Sequence, residues 1–403
     1  MEQAGMRLFN TQTGEVERFT ARDNKVGIYV CGVTPYDTTH AGHAFTFLTF
    51  DLLVRYLRHL GHEVTYVQNV TDIDDDILRK AKEVGTTWDE LGRNETAKFR
   101  RDLADLNALD PDYYLKATEH VAEMVEIAST LIEKGFAYEK NGSVYFEVAK
   151  DPEFGKLSHI PRGEMLAVAN QRGNTPDDPN KKDPIDFVLW QAAAPGEPTW
   201  PSPWGPGRPG WHIECTAMST KHLGNTIDIH GGGGDLVFPH HECEIAQTES
   251  ATGEKPFVRY WMHIAMVEYQ GEKMSKSLGN LVLARDLLGE YSSDAIRLYL
   301  HSHHYRTAWE FHEEEMQDFA ALADDLREAV EFPAYGIEEE VDVDHLRVRF
   351  MNALSDDLDA PTAIEALREM ARAILEAPEE EDVLHAQRIL RECTEIIGLT
   401  LAS

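Results

Sequence analysis

Between Val26 and Val70 an apolar run, a turn-rich stretch, an amphipathic segment and a second apolar run follow one another. This order constrains the fold more than any other feature of the chain. Val26 to Cys31 (VGIYVC) predicts a buried strand, and Gly32 to Gly42 predicts a loop. Phe45, Leu48, Leu52, Tyr56 and Leu60 recur at helical spacing, so a helix is expected over about 44–60, with Asp51, Arg55 and Arg58 on its polar side. Gly61 suits a helix C-cap, and Glu63 to Val70 (EVTYVQNV) predicts the next strand. Strand, helix and strand in such close succession imply a βαβ unit and a parallel sheet, hence an α/β fold.

Further helices are expected over 74–84, 88–106 and 118–134, and Ser143 to Val148 reads as a short alternating strand. Residues 150–210 are rich in Pro, Gly and charge, which predicts an irregular insertion. A helix over 211–223 follows, then a strand over 228–234 running into a glycine loop, a helix over 239–251 and a strand over 260–267. From Phe311 the pattern is helical and acidic. Asp359 followed by Pro361 marks a helix start. Ile364, Leu367, Ala371 and Ile374 then share one face, and Val383, Ala386, Leu390, Cys393 and Ile397 share another. The expected organisation is a catalytic domain over 1–310, with an insertion over about 110–195, and a helical bundle over 311–403. The acidic run Glu379 to Asp382, after Pro378, is expected to be a solvated loop.

Charge narrows the function classes. Acidic residues outnumber basic ones by 71 to 38, a formal net charge of −33, and no Lys/Arg block forms an evident basic patch. That field argues against a polyanionic partner such as tRNA. No apolar run approaches the roughly 20 residues of a membrane span, and Met1 to Asn10 lacks a secretory pattern, so a cytoplasmic location is expected. Four cysteines exclude a disulfide scaffold and leave free thiols or metal ligands.

Two short motifs carry chemistry. His40-Ala-Gly-His43 lies where a strand gives way to a helix. A helix N-terminus attracts anions, imidazoles there can donate to phosphate, and Gly42 permits close approach; a purely structural histidine pair is the competing reading. Lys273-Met-Ser275-Lys276-Ser277 places two lysines in a loop, where they can neutralise a leaving pyrophosphate. In this order the pair resembles the HIGH and KMSKS signatures of class I aminoacyl-tRNA synthetases, with the glycine-rich DIHGGGGDLVFPHH between them. The resemblance implies a Rossmann-like parallel sheet with an inserted subdomain and a C-terminal helical bundle. It also implies attack of a carboxylate on the α-phosphate of ATP, giving an adenylate and pyrophosphate. His40, His43, Lys273 and Lys276 would be catalytic; Thr34, Gly42, Asp235, Ser275 and Ser277 would serve ATP or substrate, with Asp235 on the ribose. Mg²⁺ is expected to accompany ATP.

Cys31, Cys215, His240 and Glu244 form a third constellation, the last two at i, i+4 on a predicted helix. Two thiolates with an imidazole suit zinc better than other metals, although buried structural cysteines would give the same pattern. Cys393, on an apolar helix face, fits the structural reading, and Cys243 is expected to point away from any metal. The chain resembles the cysteinyl-tRNA synthetase-like branch of class I, in which one zinc ion binds the substrate cysteine thiolate and so rejects serine. On that resemblance Cys31, Cys215, His240 and Glu244 are the ligands, and Thr71 and Trp211 surround the bound cysteine.

The branch contains tRNA synthetases and the mycothiol-pathway ligases that join cysteine to the amine of glucosaminyl-inositol. The runs YVCGVTPYDTTHAGHAFTFLTFDLL, HEVTYVQNVTDIDD and GEPTWPSPWGPGRPGWHIEC resemble the ligases. His43 is the residue typical of them, and Phe45 stands where the synthetases carry Arg. The short stretch after SDDLDAPTAIEAL also resembles the ligases, whereas Glu244 and the run GEKMSKSLGN resemble the synthetases. The expected substrates are cysteine, ATP and glucosaminyl-inositol, with tRNA the alternative acceptor and a monomer the expected state.

Overall fold

The computed structural model describes residues 5–36, 39–274, 279–334, 339–378 and 381–401. A hairpin of β1 (Arg7–Asn10) and β2 (Glu15–Arg18) precedes the predicted unit. That unit is β3 (Lys25–Val33), α1 (Ala41–His59) and β4 (Glu63–Val70), with β3 and β4 parallel. Next come α2 (Asp75–Val84), α3 (Trp88–Asp105), β5 (Tyr113–Lys116) and α4 (Val121–Glu133). The insertion holds β6 (Ala137–Lys140), β7 (Ser143–Phe146), α5 (Arg162–Asn170), β8 (Phe187–Ala192) and β9 (Gly207–Pro209). The chain then returns through α6 (Trp211–Leu223), β10 (Ile227–Gly233), α7 (Glu242–Thr252) and β11 (Val258–Ile264). Short strands β12 (Val267–Tyr269) and β13 (Glu272–Lys273) lead to α8 (Ala284–Glu290) and α9 (Ser293–His301). After β14 (Trp309–Glu310) come α10 (Met316–Glu331), β15 (Glu339–Glu340), α11 (Asp344–Ser355), α12 (Ala360–Leu375), β16 (Glu381–Asp382) and α13 (Leu384–Ile397).

The central sheet has the order β11-β10-β3-β4-β5, and every pairing in it is parallel. From β3 the chain builds outward to β4 and β5 on one side, then crosses to β10 and β11 on the other. Loops leaving β3 and β10 therefore diverge, and a crevice opens between their carboxyl ends, where open α/β sheets bind ligands. At the end of β3 the register with β4 slips between Val30 and Val33, so Cys31 and Gly32 sit in a bulge. Only glycine fits at Gly32, because a Cβ there would lie 1.6 Å from the carbonyl oxygen of Asn69.

Four expectations need correction. Residues 150–210 are not irregular throughout, since they supply α5, β8 and β9, and the last two strands join β6 and β7 in a four-stranded antiparallel sheet. Pro- and Gly-rich connections between short strands hid their periodicity. Ser143–Phe146 does not alternate, because all four residues are buried between flanking layers. Asp51 is not on a solvated face; it is buried against the Arg297 guanidinium. Asp382 is not solvated either, being buried in the pairing of β16 with β15. Glu379 and Glu380 lie outside the described residues.

The predicted apolar faces of α12 and α13 are buried, Cys393 among them, and they share one core with α1. Asp359 caps α12 by accepting from Thr362 N–H at 3.1 Å. Among the described residues no helix is long and apolar enough to cross a membrane.

Candidate active site

The crevice between β3 and β10 opens into a cleft of about 1060 Å³. Thr34, Gly42, Trp211 and Asp235, all expected to bind substrate or ATP, line it together with His40 and His43. His40 is the N-cap of α1: its Nδ1 accepts from His43 N–H at 3.3 Å, and the two rings stack at 3.7 Å. Ala41 N–H donates to Val282 O at 2.8 Å, and Ala284 N–H donates to Thr39 O at 3.0 Å. Segment 282–284, just beyond the lysine signature, is thus fastened to the start of α1. The segment that follows the second motif therefore meets the first, and Met274 lines the cleft together with His40 and His43. Ser275, Lys276 and Ser277 lie outside the described residues, as does the side chain of Lys273, whose backbone belongs to β13.

Around Cys31, which lines the crevice, the other predicted metal ligands gather, each of the four almost fully buried. Cys31 Sγ lies 3.5 Å from Cys215 Sγ, 3.5 Å from His240 Nε2 and 3.7 Å from Glu244 Oε1. His240 Nε2 lies 3.1 Å from Glu244 Oε1. Zinc bonds of about 2.0–2.3 Å in a tetrahedron require donor separations of about 3.3–3.8 Å. The sulfur-centred distances fall in that range and the His240–Glu244 distance just below it. Soft sulfur, imidazole and carboxylate in one dry site are a donor set that fits zinc.

The buried groups of the cluster shift one another's proton affinity. Burial raises the Cys31 thiol well above its ordinary range, with Cys215 and Glu244 adding to the rise. Cys215 is also buried, but hydrogen bonding from Cys31 and the charge of His240 outweigh that and hold it near 6. Burial opposes the charged forms of His240 and Glu244 too. Cys215 and Glu244 nevertheless lift His240 to about 10, and His230 and His240 bring Glu244 down to about 2.

Surrounding contacts orient these donors. Glu244 Oε2 is held by His230 Nε2 at 2.8 Å, and His240 Nδ1 meets His212 Nδ1 at 3.0 Å. Trp211 stacks on the His240 ring at 4.4 Å. Thr71, at the end of β4, is buried nearby and bonds to the Glu214 carboxyl. Cys243 is buried outside the ligating group and lines the cleft.

One donor was not anticipated. His241 Nε2 approaches Cys31 Sγ to 3.2 Å and Glu244 Oε1 to 3.8 Å, so Cys31, His240, His241 and Glu244 also form a compact set of possible ligands. The predicted helix from Pro239 would turn consecutive histidines about 100° apart. Instead α7 begins at Glu242, and a wider turn over Val237–His241, with Phe238 extended, brings both rings to the same place. The doubled histidine in PHHECE was the available signal. His241 Nδ1 in turn meets His263 Nε2 at 2.7 Å, which ties it to β11.

Comparison with known proteins places these features in context. Residues 18–321 match the family of class I (C) tRNA synthetase catalytic domains, and residues 349–402 match the DALR domain. The chain is similar to a cysteine–tRNA ligase of Thermodesulfovibrio yellowstonii, 44% identical over 98% of this chain and 85% of that protein. It is equally similar to an L-cysteine:1D-myo-inositol 2-amino-2-deoxy-alpha-D-glucopyranoside ligase of Parafrankia sp., 46% identical over 92% of this chain and 83% of that one. Among solved structures, a Mycobacterium tuberculosis methionyl-tRNA synthetase with methionyl-adenylate shares the fold, with a TM-score of 0.66 at 15% identity over 93% of this chain and 88% of that one.

Proposed function

The chain belongs to the class I (C) tRNA synthetase catalytic-domain family, and on that premise we propose that it activates L-cysteine with ATP and transfers it to the amine of glucosaminyl-inositol. As a class I cysteine ligase it is an ATP-dependent enzyme. The observation that carries the reading is the gathering of Cys215, His240 and Glu244 around Cys31, which lines the same cleft as His40 and His43.

Cys31, Cys215, His240 and Glu244 would hold one zinc ion. When bound, the ion supplies a thiophilic site for the substrate sulfur, which a serine hydroxyl fills poorly. Trp211, stacked on His240, walls that site, and Thr71 closes it from β4. His40 and His43 would donate hydrogen bonds to the triphosphate at the N-terminus of α1, Gly42 lets the phosphates approach, and Asp235 and Thr34 line the nucleotide side. Lys273 and Lys276 would neutralise the departing pyrophosphate, with Ser275 and Ser277 in the same loop, and Mg²⁺ accompanies ATP. Holding both substrates in one crevice supplies much of the rate.

An aminosugar acceptor is supported by the −33 charge, which disfavours tRNA, by His43 in the first motif and by Phe45 two residues beyond it. The tRNA reading rests on the DALR match at 349–402 and on the cysteine–tRNA ligases among the relatives. Incubation with ATP, labelled cysteine and either acceptor decides between them. Label is expected on glucosaminyl-inositol; label on tRNA alone would replace the proposal. In ATP–pyrophosphate exchange cysteine is expected to stimulate and serine not; equal stimulation would refute selection through sulfur.

A further inference from the structure

A hydroxyl meets the ligand cluster from within the core, and Tyr29 carries it. Tyr29 stands in β3, two positions before Cys31, and is fully buried. It belongs to the same apolar core as Cys31 and Cys215. Its strand partner in β10 is His230, and the two rings meet edge to face at 5.0 Å. Among the described residues no nitrogen or oxygen meets its hydroxyl. The group it does meet is the sulfur of Cys215, with Cys31 and Glu244 within electrostatic reach. Phenylalanine would fill the same space without burying an O–H, so the hydroxyl calls for a partner. Tyr29 is not among the residues lining the cleft, so it acts on a substrate only through Cys215.

The charge of the ligand set gives that contact a task. A sulfur that ligates a metal does so as the thiolate. Two thiolates and a carboxylate carry one charge more than a divalent ion, and the sulfur of a bound cysteine would add another. A further anion is accepted more readily where donors outside the set draw charge from the ligands already present. Glu244 has such a neighbour in His230, whose Nε2 lies 2.8 Å from Oε2. Cys31 has one in His241, whose Nε2 lies 3.2 Å from its sulfur. For Cys215 that neighbour is the Tyr29 hydroxyl.

We propose that Tyr29 is a positioning residue that sets thiol specificity: its hydroxyl donates to the Cys215 thiolate and draws charge from it, so that the site takes the sulfur of L-cysteine as one more ligand. This deepens the function proposed above and rests on its metal site. No bond to the substrate is made by Tyr29, and no proton leaves it. Its effect is confined to ligands that bind through sulfur.

The test uses the full chain loaded with Co²⁺, whose sulfur-to-metal charge-transfer absorption reports the charge on the ligating sulfurs. Tyr29→Phe keeps the ring against His230 and removes the hydroxyl alone. Its absorption is expected to move to lower energy, because an undonated thiolate gives up its electrons more easily. L-Cysteine, titrated without ATP, is expected to bind about 10-fold more weakly, the lower end of the range for groups that support metal ligands. ATP, which does not bind through sulfur, should keep its affinity. 3-Fluorotyrosine at position 29 is a stronger donor of nearly the same shape and should move the absorption the opposite way, a readout that stands even where the phenylalanine variant does not fold. An unmoved absorption with unchanged cysteine affinity would overturn the assignment and leave Tyr29 as packing, as would equal weakening of cysteine and ATP. If the unmodified protein takes up no Co²⁺, the metal reading fails first and the Tyr29 assignment falls with it.

Discussion

Two buried charge clusters lie along α1, and they are built on opposite principles. Near its middle, Asp51 is sealed against Arg297 and Arg55. Arg297 is fully buried and every nitrogen of its guanidinium is bonded: Asp51 Oδ2 at 2.5 Å, Leu106 O at 2.9 Å, and Ile397 O from two nitrogens at 3.1 and 2.6 Å. Asp51 Oδ1 accepts from Leu109 N–H at 2.8 Å. Charge and hydrogen bonding close on themselves, and the cluster fastens α1 to the end of α13. Beyond the N-terminal end of α1, Cys31, Cys215, His240 and Glu244 gather with His230 and His241 against them, and Cys31 lines a cleft. The first cluster is complete without a ligand. The second brings sulfur, imidazole and carboxylate donors together beside a cleft. Closure marks a structural charge, and a donor set gathered beside a cleft marks a candidate functional one.

The sharpest test of this contrast strikes the closed cluster. Arg297→Met leaves Asp51 buried without its main partner, and a loss of about 3–5 kcal/mol is expected in chemical denaturation. Exchange activity per folded molecule should change little; a stable Arg297→Met protein would break the comparison. Cys215→Ala, in the open cluster, should do the reverse. Bound zinc and cysteine affinity should fall by about 10-fold to 100-fold or more, while the denaturation midpoint of the metal-free protein moves little. Full zinc content in that variant would remove the metal assignment.

A smaller effect is expected from pH. His301 is buried beside Arg297 and is held down at about 3 by burial and then by that guanidinium, against an ordinary value of 6.5. Below 6.5 the unfolded chain binds a proton that the folded one refuses. Stability from this group is therefore complete above 6.5 and is lost as pH falls toward 3, by about 1.4 kcal/mol per pH unit at most. His301→Phe should flatten that part of the stability profile, and an unaltered slope would show that other groups govern it. The smallest effect belongs to the half-exposed pair of Arg347 with Glu392 at 2.6 Å, where a double-mutant cycle should give under about 1 kcal/mol.

Much of this was legible in the sequence. The βαβ unit appeared as a change of apolar period between Val26 and Val70, and the bundle as apolar stripes after Asp359. Such patterns are local, because each residue's burial follows from the period of its own element. The donors Cys31, Cys215, His240 and Glu244 were legible through residue chemistry and family resemblance, and in the structure Cys215 lies beside Cys31 while Cys31, His240 and Glu244 fall in one compact group with His241. His241 was not legible, because the departure from helical geometry before Glu242 moves it and no spacing rule encodes that departure. Asp51 was misread for a related reason. Its partner Arg297 is 246 positions away, and a charged residue on a helix looks solvated until that partner is known.

The chain's own order of residues thus determined which segments become strands and helices, where the nucleotide motifs stand, and which side chains could bind a metal. Tertiary structure alone decided where β3 and β10 part, which acids face a cation and which face the cleft, and which histidines meet. Periodicity is a property of neighbours along the chain, whereas the balance of buried charge is set by groups that only folding brings together.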